Sequence, residues 1–161
     1  MTDPFRWRNG VPLPGPTVVF DLDGVLSDAA GRQHYVDGSR GRKDWVAFFD
    51  AVGDDPLVDE VSHLLELLDH RLVVVLLTAR PLRVQEQTVA WLERYHVRWD
   101  LLVMRPDGDH RPTAAFKGGV VDALRGLGYE PRLAFEDDRR NVAMFREAGV
   151  PCIYLHSGYY E

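Results

Sequence analysis

The sequence contains very little of what would place a chain in a membrane, in a disulfide framework or around a soft metal ion. It has a single cysteine, Cys152, among 161 residues, which excludes a disulfide within the chain and a thiolate metal cluster. Its longest apolar run, residues 72–77, is far too short to cross a bilayer. Its first residues, MTDPFRWRNG, lack the apolar core of a secretion signal. Together these absences predict a cytoplasmic protein.

Paired histidines and a basic charge balance are missing as well. The six histidines never stand at a His-x-His or His-x-x-x-His spacing, so a surface or packing role is favoured for each. The net charge of −6 argues by itself against a general nucleic-acid binder, because such proteins need a basic face. Acidic residues gathered around a metal ion would give the same sum, so charge alone does not decide the class of partner.

Short apolar runs alternate with helical patterns along the chain. The runs are residues 17–22, 72–77, 101–104, 133–135 and 152–155. Their length and their content of valine, leucine and isoleucine indicate strands that are buried on both faces. The alternation predicts an α/β fold in three layers, a parallel sheet with helices on both sides. We expect an extended arm over residues 1–16 and a single domain over residues 17–161.

Polar residues stand where the predicted strands end or where a helix begins. In parallel α/β sheets the active site lies beyond the carboxyl ends of the strands. The residues at these points are Asp21, Asp23, Gly24, Thr78, Ala79, Arg80, Lys117, Glu136, Asp137 and Asp138. Because residues i and i+2 of a strand point the same way, Asp21 and Asp23 are predicted to share one side.

Carboxylates in this number repel one another unless a cation lies between them. Oxygen ligands without cysteine or histidine suit a hard ion, and Mg²⁺ best. A metal ion, a lysine and arginines would form a positive pocket for a phosphoryl group, which Asp21 can attack while Asp23 transfers protons. Gly24 would let backbone amides approach the phosphate. The alternative is that D-x-D-G is only a turn or part of a calcium loop, although the sequence lacks the glutamate that such a loop needs.

These residues resemble the four motifs of the haloacid dehalogenase (HAD) superfamily of phosphotransferases. The stretch FDLDGVL is similar to motif one, LLTAR to motif two, Lys117 to motif three and AFEDDRRN to motif four. The resemblance implies a Rossmann-like sheet with strand order 5-4-1-2-3, a bound Mg²⁺ and an aspartyl-phosphate intermediate. It also implies that Asp21 is the nucleophile, that Asp23 is the acid and base, and that Thr78 and Lys117 hold the phosphate.

The same resemblance implies a set of metal ligands. They are Asp21, Asp23, Asp137, Glu136 and Asp138. Asp138 either joins the metal shell or pairs with an arginine such as Arg139. A shift of one residue in this run would exchange the roles, so the choice between Glu136 and Asp138 as the second acid of motif four stays open.

A narrower resemblance is to the 3′-phosphatase domain of phage-type polynucleotide kinase-phosphatases. It is carried by arginines at similar places relative to the motifs and by the C-terminal CIYLHSGYY, which resembles that family's last strand and tail. The resemblance implies contacts with substrate phosphates or with the motif loops. The residues concerned are Arg32, Ala79, Arg80, Arg105, Arg111 and Gly24. The alternative for each arginine is a solvated surface cation.

The spacing of the motifs bears on the substrate. Superfamily members that act on small metabolites usually carry a cap domain that closes over the substrate. The insert after motif one, residues 28–55, can hold only a loop and a short helix, so we expect little or no cap. An open site favours a bulky substrate, either a nucleic-acid end or a phosphoprotein. Residues 40–43, RGRK, with Tyr35 and Trp45 nearby, form either a rim for a single-stranded end or a solvated loop.

We therefore expect a Mg²⁺-dependent phosphomonoesterase that removes 3′-phosphate from DNA or RNA ends in nucleic-acid repair. The resemblance allows a separate kinase or ligase as a partner, and no membrane is involved. One alternative is a phosphatase of nucleotides or other small esters, which the acidic net charge supports. Another is a non-catalytic binding module that keeps the fold.

Overall fold

A six-stranded sheet forms the centre of the structure, a computed structural model that describes residues 3–160. The strands are β1 Phe5–Trp7, β2 Pro16–Phe20, β3 Val73–Pro81, β4 Leu101–Arg105, β5 Glu130–Glu136 and β6 Cys152–Tyr154. Their order across the sheet is β1-β4-β3-β2-β5-β6. Strands β2 to β6 are parallel, whereas β1 pairs antiparallel with β4. The parallel strands thus follow the predicted order 5-4-1-2-3, and the predicted α/β fold is confirmed.

Helices cover both faces of the sheet. They are α1 Trp45–Asp50, α2 Asp59–Leu67, α3 Gln85–Arg94, α4 Thr113–Gly126 and α5 Arg139–Glu147. Shorter 3₁₀ helices span Ala30–Tyr35, Val52–Asp54 and Leu82–Val84. Alternate residues of each strand point to opposite faces, so Val18 and Phe20 pack in one core cluster and Val19 in the other. The first cluster includes residues of α2 and α3, and the second includes residues of α4 and α5.

The ends of several helices have identifiable causes. Asp44 precedes α1 and accepts a hydrogen bond from the Ala47 N–H at 3.0 Å, and Asp138 does the same for the Arg140 N–H before α5. After α5, Gly149 takes a left-handed conformation with φ +78°, which stops the helix. None of the helices in the described residues is long and apolar enough to cross a membrane.

The N-terminal segment adds an edge to the sheet. Residues 5–7 pair with residues 101–103 of β4, and the Tyr129 hydroxyl donates to the Pro12 carbonyl at 2.6 Å. The predicted arm over residues 1–16 is therefore attached along the sheet from residue 3 onward. Residues 1 and 2 of that arm, and residue 161 of the predicted domain, lie outside the described residues.

The insert between β2 and β3 forms no separate cap in the part of the chain that the structure describes. It contains α1, α2 and two of the 3₁₀ helices. The first core cluster joins Val52, Val61 and Leu65 of the insert to Val18 and Phe20 of β2, so the insert packs onto the main sheet. The edge of the sheet beyond the carboxyl ends of its strands is left open.

Candidate active site

The aspartate doublet follows β2 at the carboxyl edge of the sheet. The Asp21 N–H donates to the Phe135 carbonyl at 3.1 Å, which continues the pairing of β2 with β5 for one more residue. The chain then turns, and Gly24 takes a left-handed conformation with φ +85°. Leu22 between the aspartates is completely buried. The core therefore anchors the segment that carries both carboxylates.

Asp21 lies against a buried lysine. Its Oδ1 accepts a hydrogen bond from the Leu22 N–H at 2.8 Å and lies 3.1 Å from Lys117 Nζ. Burial and the charge of Glu136 raise the pKa of Asp21 well above its ordinary value, although Lys117 opposes them. Burial lowers the pKa of Lys117, but Asp21 and Glu136 outweigh that effect and raise it. The lysine is therefore charged beside the aspartate.

Three adjacent acids lie at the end of β5, and two of them, Glu136 and Asp138, have partners within the protein. Glu136 accepts hydrogen bonds from Lys117 Nζ at 2.5 Å, from Asn141 Nδ2 at 2.9 Å and from the Asp137 N–H at 2.9 Å. Asp138 caps α5 and pairs with the Arg140 guanidinium at 2.9 Å. Glu136 thus holds the lysine in place, and Asp138 pairs with an arginine, one of the two roles left open for it.

Asp137 is different, because neither of its buried carboxylate oxygens has a well-formed hydrogen bond within residues 3–160, although the Ser157 side chain lies close enough to lower its pKa. Carboxylate oxygens of Asp21, Glu136 and Asp137 all lie within 4.8 Å of one another. Burial, together with the charge of Glu136, raises the pKa of Asp137 to about 7. Buried acceptors are rarely left without a partner, so this group of carboxylates is a candidate site for a cation. The donor set of oxygens fits Mg²⁺.

Gly24 makes room for the Asp137 carboxylate. A Cβ at Gly24 would lie 2.0 Å from Asp137 Oδ2 and 2.6 Å from its Cγ. Any other residue at this position would displace the unpartnered acid. The glycine therefore serves the acidic group directly, in addition to allowing the turn.

Asp23, in contrast, is enclosed by two arginines. Its Oδ1 accepts from Arg80 Nη2 at 2.7 Å and from Arg32 Nη2 at 2.8 Å. Asp55 completes the network, because it binds Arg32 Nε at 2.8 Å and accepts from the Ser27 hydroxyl at 2.5 Å. Burial raises the pKa of Asp23, but the charges of Arg80 and Arg32 outweigh it and hold the pKa below its ordinary value. The positive charges of two arginines offset the negative charges of two aspartates within this network.

A bulge in β3 places Arg80 in that network. Thr78 pairs with Met104 and Pro81 pairs with Arg105, so Ala79 and Arg80 lie between two adjacent positions of β4. Bulges next to active sites commonly redirect a side chain. The Thr78 hydroxyl accepts from the Arg80 N–H at 3.1 Å, which fixes the bulge.

Some of these side chains line one cavity of about 680 Å³, whereas Gly24, Glu136 and Asp137 lie outside its lining. The sequence-predicted residues that line it are Asp21, Asp23, Thr78, Ala79, Arg80, Arg105, Lys117 and Asp138. Arg32 does not line the cavity, but it donates a hydrogen bond to Asp23. Arg111 is outside the lining and pairs with Asp109 of its own loop at 2.7 Å. Motifs one to four are thus brought together, and Arg111 is not.

Sequence reasoning assigned no role to several residues of the site. Asn141 is part of AFEDDRRN and lies in the first turn of α5. This position was the signal that could have predicted its contact with Glu136. Ser27 and Asp55 gave no signal, because they lie in the insert without periodicity. Tyr160 also lines the cavity, with its ring centroid 5.7 Å from the Arg140 guanidinium.

Comparison with known proteins places the chain among phosphatases. A family model described as the polynucleotide kinase PNKP phosphatase domain matches residues 15–160. The chain is similar to a chain in the structure of the Pnkp1/Rnl/Hen1 RNA repair complex, with 24% identity and a TM-score of 0.72, covering 94% of this chain and 45% of that one. A chain from a Pnkp1/Rnl/Hen1 complex gives 26% identity and a TM-score of 0.73, with 94% and 48% covered.

A third similarity concerns the fold alone. It is to a haloacid dehalogenase-like hydrolase from Streptococcus pneumoniae, with 15% identity, a TM-score of 0.58 and coverage of 90% of this chain and 86% of that one. The chain spans just under half the length of the two repair-complex chains, at 45% and 48%.

Proposed function

The chain belongs to the PNKP phosphatase-domain family of HAD phosphatases, and from this premise we propose that it is a Mg²⁺-dependent phosphomonoesterase that removes 3′-phosphate from polynucleotide ends. One observation carries the chemistry. Asp21 lies in an open cavity, with charged Lys117 on one side and the unpartnered carboxylate of Asp137 on the other. This arrangement suits attack of a carboxylate on a phosphoryl group.

In the first step, an Asp21 carboxylate oxygen forms a bond to phosphorus and the bond between phosphorus and the 3′ oxygen breaks. The leaving 3′ oxygen takes a proton from Asp23. The arginines favour the charged form of Asp23 at rest, but a phosphate dianion beside it favours uptake of the proton. Lys117 and Thr78 hold the phosphoryl oxygens, because both line the cavity next to Asp21.

In the second step, Asp23 accepts a proton from water, and the water oxygen attacks phosphorus. The bond between phosphorus and Asp21 breaks, which releases inorganic phosphate and restores the carboxylate. The two arginines keep Asp23 charged at neutral pH, as a general base requires. Glu136 keeps Lys117 in place throughout.

Asp21 and Asp137 would hold the Mg²⁺ ion, and Asp23 would lie beside them. When bound, the ion offsets the negative charge of the carboxylates and of the phosphate. Glu136 and Asp138 support the site through Lys117 and Arg140, since their oxygens already accept hydrogen bonds from these residues.

The polynucleotide part of the proposal is supported by the open edge of the sheet and by the relatives. Arg105 lines the cavity as a cation without a salt bridge to any described carboxylate, so it is available to a backbone phosphate. Two relatives come from Pnkp1/Rnl/Hen1 complexes, one of them described as an RNA repair complex. We therefore propose repair of nucleic-acid ends in the cytoplasm, beside kinase or ligase partners, with RNA as the first substrate to test.

The test compares kcat/KM for 3′-phosphorylated RNA and DNA oligonucleotides with kcat/KM for mononucleotides and p-nitrophenyl phosphate in the presence of Mg²⁺. We expect the oligonucleotides to be preferred. A preference for the small esters would contradict the polynucleotide part and leave the chemistry intact. Asp21→Asn should lower kcat by about 10⁴-fold or more, as loss of a nucleophile does. The matched control is Asp59→Asn, at an exposed position on α2, which should keep the wild-type rate.

A further inference from the structure

Trp45 is a large aromatic side chain that stays 49% exposed. It is the first residue of α1, and it lines the same cavity as Asp21 and Lys117. An indole gains free energy when it is covered, so one left open at the mouth of an active-site cavity is suited to a ligand.

Two phenylalanines of the same helix pack against the indole. Phe48 and Phe49 follow Trp45 at i+3 and i+4, so the three rings lie on one side of α1. The Phe49 ring is nearly parallel to the indole, at 6.0 Å and 25°, and the Phe48 ring meets it edge to face at 5.5 Å. The Arg32 guanidinium lies 4.4 Å from the Phe48 ring centroid. The platform is thereby tied to the network that holds Asp23.

Unpaired cations accompany the platform. Lys43 Nζ lies 5.8 Å from the indole centroid and lines the cavity, as Arg105 does. Neither residue forms a salt bridge with a carboxylate among residues 3–160, whereas Arg80, Lys117 and Arg140 all do. An exposed aromatic face beside a cation such as Lys43 is the combination that binds single-stranded nucleic acid, whereas Arg105 also donates from Nη2 to the Arg111 carbonyl and to Thr113 Oγ1.

We propose that Trp45 is a stacking platform for the terminal base of an unpaired 3′-phosphate end, with Lys43 and Arg105 contacting the adjoining backbone phosphate. This inference rests on the proposed function and adds to it a residue that binds the terminal base. The cavity is large enough to hold a nucleotide at about 680 Å³.

The test measures KM for two 3′-phosphorylated oligonucleotides of the same sequence, one with a normal terminal base and one with an abasic terminal sugar. Wild type should prefer the normal end. Trp45→Ala should raise KM for the normal end by about 10-fold to 100-fold and bring it close to that of the abasic end. Trp45→Phe should stay close to wild type because it keeps an aromatic face. Leu67→Ala, at a residue that is 84% exposed on α2, is the matched control and should change neither value.

A second measurement reads stacking directly. In the Asp21→Asn background, which binds without turnover, the oligonucleotide should quench tryptophan fluorescence, and Trp45→Phe should remove most of that quenching. If Trp45→Ala keeps the wild-type preference for the normal end, the assignment is wrong, and the patch serves another partner such as a protein. If wild type prefers p-nitrophenyl phosphate to both oligonucleotides, the proposed function fails instead.

Discussion

The two aspartates of the doublet are separated by one residue, yet their surroundings are opposite. Asp23 accepts hydrogen bonds from two arginines, and its pKa is lowered. Asp21 shares one lysine with Glu136 and lies close to Asp137, whose oxygens are unpartnered, and its pKa is raised. Arginines offset the negative charge around Asp23, whereas Asp21, Glu136 and Asp137 share one lysine. In the proposed mechanism, the proton-transfer residue would therefore be held by the protein itself, and the nucleophile would work beside a metal ion.

Apart from the replacement of Asp21 itself, the largest expected loss of activity comes from a methyl group placed beside the Asp137 carboxylate. Gly24→Ala would put a Cβ 2.0 Å from Asp137 Oδ2. We expect kcat/KM to fall by at least about 100-fold, because a shift of about 1 Å in a catalytic group has that effect. Gly38→Ala is the control, since Gly38 has nearly the same φ, +87°, and no atom within 4 Å of the added Cβ. Equal losses in both variants would show that backbone strain is responsible.

Asp55→Asn tests the network of two arginines and two aspartates that surrounds Asp23. This change removes one of the two carboxylates paired with Arg32 and leaves two buried arginines with only Asp23, so the free energy of unfolding should fall by about 3–5 kcal/mol. Urea denaturation measures this change. Asp69→Asn removes an exposed partner of Arg71 and should leave stability unchanged within error. An Asp55→Asn variant as stable as wild type would mean that the network contributes nothing to folding.

Mg²⁺ should bind beside Asp21 and Asp137 and stabilise the folded protein. At a concentration of about 100 times its Kd, a ligand adds about 2.7 kcal/mol, which raises the Tm of a domain this size by about 5–10 °C. Asp137→Asn should abolish the rise. Asp138→Asn should preserve it, because Asp138 is engaged by Arg140. Thermal melts with and without Mg²⁺ measure the rise in Tm for each variant. Loss of this rise in Asp138→Asn would identify that residue as a ligand.

The surroundings of Asp137 and of Asp23 should also give the stability of the protein pH dependences of opposite sign. The pKa of Asp137 rises from 3.8 to about 7 on folding, so the folded state binds the proton more tightly, and this contribution is lost as pH rises through that range. The lowered pKa of Asp23 contributes stability above pH 3.8, which is lost as pH falls further. Without metal, wild type should lose stability relative to Asp137→Asn between pH 4 and 7. A constant difference would contradict the raised pKa.

Much of the fold was predictable from the sequence, because strands buried on both faces are continuous apolar runs. The strand order followed from the family resemblance. The motif positions were predictable for a related reason, since each one stands where a run ends or a helix begins. Asp21 and Thr78 meet because the carboxyl ends of parallel strands share one edge, and Lys117 reaches them from α4.

The network around Asp23 was harder to predict. Asp55 contacts Arg32 across an irregular insert, where neither helix nor strand periodicity fixes direction. In the run EDD, spacing alone could not distinguish three adjacent acids. Their partners separate them, since Lys117 takes Glu136, Arg140 takes Asp138, and Asp137 is left without one.

The insert between β2 and β3 supplies both Arg32 and Trp45, and this has a consequence for evolution and engineering. One segment pairs with Asp23 through Arg32 and Asp55 and also lines the cavity through Trp45. If the proposed roles of Asp23 and Trp45 hold, a transplanted insert would change the substrate range and the reaction rate at once.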